Sequence, residues 1–492
     1  MLKLGDLLKA AGLNCNDSQT SHKKQNTAQL PPQKNTTHLR PSHPLSPKTT
    51  QAPPPRHTAH QPDYYNERRA LPAIPTPAGP ATQATENTFK IFSPPSSGID
   101  FKPTPSAWVS HGQSTQISDG AALPIHIGID FGTAFTKVAV KTKNKIWIVD
   151  WSGIIQEENT YLLPGELSIL PNGTTLLGVH SGLEIFNNLK VPFLLKVDEG
   201  LHLHTTCFLA WVMKYTRAWI FQNLRNQIYQ HRLTWDITIG IPTETWDKGD
   251  RSKICEKIAI MAWNTSLTND ISLANAMSAP SDIETAYDLN TLSSQPEFRA
   301  EIMSYSKSPQ RTNGLHFFCD IGAGTLDLCT IIITEKNFQP HYSVLEARVH
   351  PLGAYHLELG GSQCEPKIYS AISNILGTTK KKRDPRFFIH GTPLPHSLLG
   401  GGRSDPRYLK QLHHAANHPN APIKLSDNPI DIQMDKYNLE TNLPDDIAHR
   451  FLVATGLCWN DEDFGSITHS NDIDDICPYT PDEQIDIDER YS

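Results

Sequence analysis

Two stretches in opposite halves of this 492-residue chain repeat one pattern: IGIDFGTAFTKVAV at 127–140 and FFCDIGAGTLDLCTI at 317–331. Each is an apolar strand ending in Asp, followed two residues later by Gly, then a hydroxyl residue and a second apolar strand. Asp130 matches Asp320, and Gly132 matches Gly322. A Gly in a hairpin turn lets backbone N–H groups come close to an anion, because no Cβ intervenes. An Asp at the strand end can hold a magnesium ion through water or orient an attacking water. Two such hairpins facing one another would clamp a polyphosphate from both sides. Any hairpin can contain Asp and Gly, so one copy says little; one copy in each half says much more.

The surroundings read as a mixed α/β protein. Residues 125–130 and 136–141 form strands around the first Gly turn, 146–151 form a third, and 161–178 form short strands joined at Asn172-Gly173. Residues 205–230 read as a helix with Phe208, Val212, Tyr215, Trp219 and Ile220 on one face, continuing to Leu224 and Ile228. A buried strand follows at 236–242, then a helix from about Lys248 to Met261, and 315–350 repeats the strand–turn–strand pattern.

Composition sets the expected boundaries. Residues 18–120 hold 17 of the 38 prolines together with many Thr, Ser, Gln and His, a segment too polar to offset chain entropy and expected to lack structure. PPPR at 53–56 and LPAIPTP at 71–77 read as spacer in preference to polyproline ligands. Leu2, Leu4, Leu7, Leu8 and Leu13 suit a short amphipathic helix or docking segment over 1–17. The folded domain is expected over 122–468, with one lobe at about 122–315, a second at about 316–440 and a closing helix at about 443–460. An acidic tail, 469–492, ends the chain and is expected to be disordered.

A net charge of -7 argues against nucleic-acid binding, which needs a basic face. The eight cysteines are scattered, without a CxxC pair, so a structural metal site is not expected and a reducing compartment suits them. The N-terminus lacks a signal-peptide shape, and Lys214 and Arg217 interrupt the most apolar helix, so no membrane span and a soluble cytoplasmic protein are expected.

The paired hairpins resemble the first and second phosphate motifs of the actin, sugar-kinase and heat-shock-chaperone ATPase superfamily. Three further segments agree. LLGGGRSDPRYLKQL, 398–412, resembles the adenosine motif, with Pro406 where the chaperones have proline. Residues 237–264 resemble the chaperones' strand–Pro–helix segment, and LPDDIAHRFLVATGL, 443–457, resembles their closing motif, with Asp445 at its acidic position. The resemblance runs in order through about 123–460, closest to the DnaK-type chaperones. It implies an α/β, two-lobed actin-like ATPase fold of duplicated ribonuclease-H-like domains, with ATP and Mg2+ in a cleft between them.

By that resemblance Gly132 and Thr133 contact the β- and γ-phosphates, while Gly322, Gly324 and Thr325 hold the other side. Gly400, Gly401 and Gly402 border the adenosine, and Asp445 joins the nucleotide site. Asp130 and Asp320 surround the magnesium ion and the attacking water, as catalytic and metal-binding residues. Lys137 stands where actin carries a phosphate-contacting lysine; a cleft cation and an outward, solvated lysine are equally good readings.

Three departures stand out. The chaperones' catalytic lysine has no counterpart near His180 and Ser181; Lys190 comes too late in the segment, and Lys196 better matches a later family lysine. The crossover's Glu-Pro pair reads as Ala279-Pro280, with Asp282 or Glu284 as substitutes for the glutamate. Only about forty residues separate Gly360-Gly361 from the adenosine motif, so the subdomain supplying half of the adenine pocket is trimmed, and KKKRDPR at 380–386 reads as a solvated loop. The chain stops where a peptide-binding domain would begin. The expected function is a chaperone-like ATP- and ADP-binding protein, at most a weak ATP hydrolase, whose lobe closure regulates an unidentified protein partner. The rivals are an actin-like filament-forming ATPase and a small-molecule kinase.

Overall fold

A computed structural model describes residues 96–473, apart from 103–105, 157–158, 195–198, 243–249, 337–338, 383–392, 419–420, 435–437, 461–462 and 464. The N-terminal leucine-rich segment, the two proline motifs, Lys196, most of KKKRDPR and the tail from 474 lie outside the described residues. All described residues belong to one compact unit, Thr85–Ser492.

The chain forms two mixed sheets with a shared plan. In the first, β1 (Ala121–Phe131) and β2 (Phe135–Thr142) make the first hairpin, and β3 (Lys145–Ile148) continues it antiparallel. After β4 (Leu163–Pro164) and a small sheet of β5 (Leu167–Ile169), β6 (Thr175–Leu177) and β7 (Glu184–Phe186), the chain returns as β8 (His231–Ile241) and β9 (Leu289–Pro296). The order is β3-β2-β1-β8-β9, with β4 on β2 and both returning strands parallel. In the second sheet, β10 (Gly314–Ile321), β11 (Leu326–Lys336) and β12 (Gln339–His350) run antiparallel, and β13 (His396–Leu399) lies parallel to β10. The strip β3-β2-β1-β8 thus corresponds to β12-β11-β10-β13.

Helices cover these sheets because the connections between parallel strands must cross a face. Helix α1 (Ser106–Gln113) precedes the first sheet, and α2 (Glu199–Asn223) and α3 (Asp250–Ser266) connect its strands. Residues 205–221 of α2 are buried on every side, by the sheet and by neighbouring helices. Helix α4 (Glu297–Ser306) leads from β9 to the second hairpin, which is followed by α5 (Ala354–Gly360), α6 (Glu365–Lys382) and α7 (Pro406–Asn417). Two short helices, α8 (Asp445–Ala448) and α9 (Leu452–Gly456), close the domain. Phe298, Ile302 and Tyr305 of α4 share one core with Ile146 and Ile148 of the first sheet, Phe318 and Ile331 of the second, and Phe451 and Leu452. The crossover and closing helices are therefore wedged between the sheets.

Structure reaches further at both ends than composition suggested. Residues 96–120, assigned to the structureless tail, include α1 and a strap in which Ser97 donates to the buried Glu166 through its backbone N (2.6 Å) and its Oγ (2.8 Å). Gly112 O accepts two bonds from the buried Arg217 guanidinium, at 2.6 and 3.0 Å. At the other end, β14 (Ser466–Thr468) pairs parallel with β12, and a 3-10 turn, Ser470–Asp472, follows beyond the expected boundary at 468. Six described cysteines are free and buried, and among the described residues no helix is long and apolar enough to cross a membrane.

Candidate functional site

The two Gly turns face each other across a cleft of about 230 Å³. Asp130, Gly132, Thr133 and Lys137 line it from the first hairpin, Asp320, Gly322 and Thr325 from the second, and Gly400, Gly401 and Gly402 from the turn after β13. Gly324 lies at its edge: a Cβ there would stand 3.1 Å from Thr133 Oγ1, so the turns are within touching distance. The second turn is buttressed by the start of α5, where Ala354 N donates to Gly322 O and Tyr355 N to Ala323 O, both at 2.9 Å. Gly400 has φ +75°, and a Cβ there would meet Asp320 Oδ1 at 2.1 Å. Only glycine lets that turn close over the carboxylate.

Eleven of the twelve residues singled out from the sequence therefore converge. The exception is Asp445, which is exposed at the first turn of α8 and does not line the cleft. From the closing segment, His449 and Arg450 line it instead.

Sequence reasoning missed a set of charged groups on the cleft floor. Lys190, passed over as too late in its segment, lines the cleft, is buried, and holds the buried Glu297 at 2.6 Å. Burial alone would lower the Lys190 pKa, but the Glu297 carboxylate overrides it and the net direction is upward. Glu297 and the buried Glu301 project from α4 at helical spacing, one turn apart. The crossover is thus at Pro296-Glu297, where β9 meets α4. The segment 278–287 plays no part in the cleft: Ala279 caps a short helix (Leu273–Ser278), and Asp282 and Glu284 are exposed. His180 is also elsewhere, at 3.0 Å from Leu177 O.

The hairpins differ in charge. In the first, Asp130 and Lys137 are register partners, with Lys137 Nζ at 2.5 Å from Asp130 Oδ2. In the second, the partner of Asp320 is Asp327. Burial, then the charge of Glu297, pushes the Asp320 carboxyl up to about 6. The same causes hold the Asp327 carboxyl well above the usual range. Burial and the neighbouring Asp320, to which it is hydrogen-bonded, do the same to Glu301. Oδ1 of Asp320 and Oδ1 of Asp327 are closed to solvent without a hydrogen-bond partner among the described residues. No group of three or more His, Cys, Asp or Glu among the described residues is arranged to hold a metal ion directly.

A second cavity, of about 430 Å³, lies along the other face of α4 and holds none of the residues singled out above. Its walls include Asp236, Asn290 and Thr291, whose polar groups are paired with one another: Asp236 Oδ1 accepts from both neighbours at 2.7 Å. The residues expected to contact phosphate line the smaller cleft.

No protein-family model matches the chain, and no curated protein matches it. Solved structures do match; one is MreB5 of Spiroplasma citri bound to ADP, 13% identical, with a TM-score of 0.26, covering 51% of this chain and 57% of that one. A superposition that loose carries no argument, and the functional reading rests on the cleft.

Proposed function

We propose that this chain is an actin-like ATPase-type nucleotide-binding protein, with two ribonuclease-H-like halves closing on ATP or ADP. The observation that carries the reading is the convergence of both Gly turns and the Gly400–Gly402 turn on one cleft. Gly132 and Thr133 would face the β- and γ-phosphates from one side, Gly322, Gly324 and Thr325 from the other, and Gly400–Gly402 would border the nucleoside. The solvent-closed, unpartnered oxygens of Asp320 and Asp327 fit a hard divalent cation, which takes oxygen ligands. With no direct cluster of three ligands among the described residues, Asp130 and Asp320 would hold Mg2+ through its waters. Bound there, the ion would neutralise phosphate charge. The same carboxylates would orient a water in line with the γ-phosphate, giving weak hydrolysis.

Lys190, held by Glu297, supplies the cleft lysine whose absence counted against turnover. It favours the chaperone-like reading, in which lobe closure controls a protein partner. Lys137 lines the cleft too, and favours the actin-like, filament-forming reading to the same degree.

Calorimetry with ATP, ADP and a non-hydrolysable analogue, with and without Mg2+, followed by phosphate-release assays, tests the core reading. Gly322→Val should abolish binding while the protein stays folded; unchanged ATP affinity in the folded variant rejects the phosphate clamp. ATP-dependent sedimentation then separates the readings, since only a filament former pellets.

A further inference from the structure

Three cations line the cleft: Lys137, Lys190 and Arg450. The first is paired with Asp130 at 2.5 Å and the second with Glu297 at 2.6 Å. Arg450 forms no ion pair among the described residues, and its Nε is closed to solvent without a hydrogen-bond partner there. The carboxylate that acts on it, Asp446, is exposed, and the other charged neighbour is Arg403, a like charge already held by Asp431 at 2.9 Å. An unpaired, partly buried guanidinium is costly to keep unless something anionic completes it. It lies flat beside the third glycine turn: a Cβ on Gly401 would stand 3.6 Å from Arg450 Cζ. Of the lining carboxylates, Asp320 reaches this turn at Gly400, where a Cβ would meet its Oδ1 at 2.1 Å, while Arg450 lies on the Gly401 side.

We propose that Arg450 is the cleft's free phosphate anchor, gripping the nucleotide phosphate next to the nucleoside against the Gly400–Gly402 turn. The assignment rests on the nucleotide reading of this cleft. A guanidinium suits the task because its planar N–H groups pair two at a time with phosphate oxygens. Lys137 and Lys190 would have to leave their carboxylates to do the same, whereas Arg450 has nothing to give up. The charge is thus a cost of the empty cleft that bound phosphate offsets.

That balance sets the test. ATP and ADP affinities are measured by calorimetry for wild type, Arg450→Met and Arg450→Lys, together with each protein's nucleotide-free melting midpoint. Arg450→Met should weaken both nucleotides about 10- to 100-fold, the range of a charge-assisted hydrogen bond. Its nucleotide-free midpoint should be unchanged or higher, because an unpaired charge has been replaced by an apolar chain of similar length. Arg450→Lys should recover only part of the affinity, because its ammonium keeps the charge but not the paired N–H geometry. The assignment is overturned if Arg450→Met binds like wild type, or if its affinity falls together with its nucleotide-free midpoint, which marks a structural arginine. It is also overturned if Lys rescues nothing, since the planar group would then be stacking on the base. Wild-type protein that binds neither nucleotide overturns the nucleotide reading and this assignment together; binding by wild type with any of the other adverse results overturns the assignment alone.

Discussion

The two hairpins share a backbone plan and carry opposite electrostatics. Seven residues after its Asp, the first hairpin has Lys137 and the second has Asp327, and in both sheets these are register partners. The first hairpin neutralises its own aspartate. The second stacks a carboxyl beside a carboxyl, adds Glu301 from α4, and takes its compensation from Lys190, which comes from the first half of the chain. The halves also differ in bracing, because only the first is stitched to the chain that precedes it, through α1 and the Ser97 strap. A duplicated frame thus carries one half that is charge-balanced and braced and one that gathers carboxyls held above their usual pKa range.

The largest expected effect comes from removing the brace. A chain starting at residue 118 loses Gly112 O, which takes two hydrogen bonds from Arg217, a side chain with no measurable exposure. Burial already pushes the Arg217 pKa down to about 9. Deprived of that carbonyl, the guanidinium keeps only Ser266 and the face of Trp263, at 4.5 Å. Denaturant unfolding should show a loss of about 3–5 kcal/mol or an insoluble product, the usual cost of stranding a buried charge. A chain starting at 96 should melt like the full-length protein, and equal stability of the two truncations would remove the bracing from the comparison.

The link between the halves comes next. Lys190→Met strands Glu297 in the interior beside the second hairpin's carboxyls and should cost about 3–5 kcal/mol in denaturant melts. Adding Glu297→Leu should recover most of it, because a stranded charge is more damaging than a missing pair. A loss below about 1 kcal/mol, the size of a surface pair, would mean that the carboxyls of the second hairpin do not depend on Lys190.

Much of this was legible in the sequence, and the gaps have physical causes. The Asp-x-Gly repeat and the Gly400 run report local geometry, since the strand end, its Asp and the Gly turn all belong to one short segment. Asp327 stood at the same offset as Lys137 and was read only as part of a strand. Glu297 and Glu301 were hidden because the preceding strand, Leu289–Pro296, is a polar edge strand whose side chains line a groove, so it shows no apolar alternation. Lys190 is held at the cleft by Glu297, 107 residues away, a pairing that spacing cannot reveal. The stretch before residue 120 looked unstructured because its docking groups are few and scattered among polar residues and prolines: Ile99, Phe101 and Val109 pack on the first core, and Ser97 and Gly112 supply the hydrogen bonds.

A smaller effect separates the hairpins by pH. Burial and Glu297 hold the Asp327 pKa in the folded protein above its unfolded value, which is about 4 for a free aspartate. The folded state therefore binds this proton more tightly, and stability falls as pH rises from the unfolded value through the folded one. Asp327→Asn keeps the shape and removes the titration. It should stabilise the nucleotide-free protein by roughly 1–3 kcal/mol at pH 8, the scale of an unsatisfied buried polar group, and by nothing at pH 4. Urea melts at the two pH values measure it, and a variant less stable than wild type at pH 8 would show that the second hairpin needs its charge for folding.

The smallest effect concerns the glycines themselves, which look equivalent in sequence. Neither Gly132 nor Gly322 has a positive φ, so neither is required by backbone conformation. Their surroundings differ. A Cβ on Gly132 would meet the Phe135 carbonyl oxygen at 2.5 Å, a backbone atom that can move only if the turn opens. A Cβ on Gly322 would meet the Thr325 carbonyl oxygen at 3.3 Å and its Oγ1 at 3.6 Å, a crowding that a shift of a few tenths of an ångström relieves. Alanine also restricts the unfolded chain, worth about 0.4–1 kcal/mol in favour of folding at either site. For Gly322→Ala the gain and the mild crowding should nearly cancel, leaving stability within about 0.5 kcal/mol of wild type. For Gly132→Ala the overpacking, about 1–3 kcal/mol, should exceed the gain and leave a net loss. Paired denaturant melts in the absence of nucleotide resolve the difference, and equal stabilities would mean that the first turn opens as readily as the second.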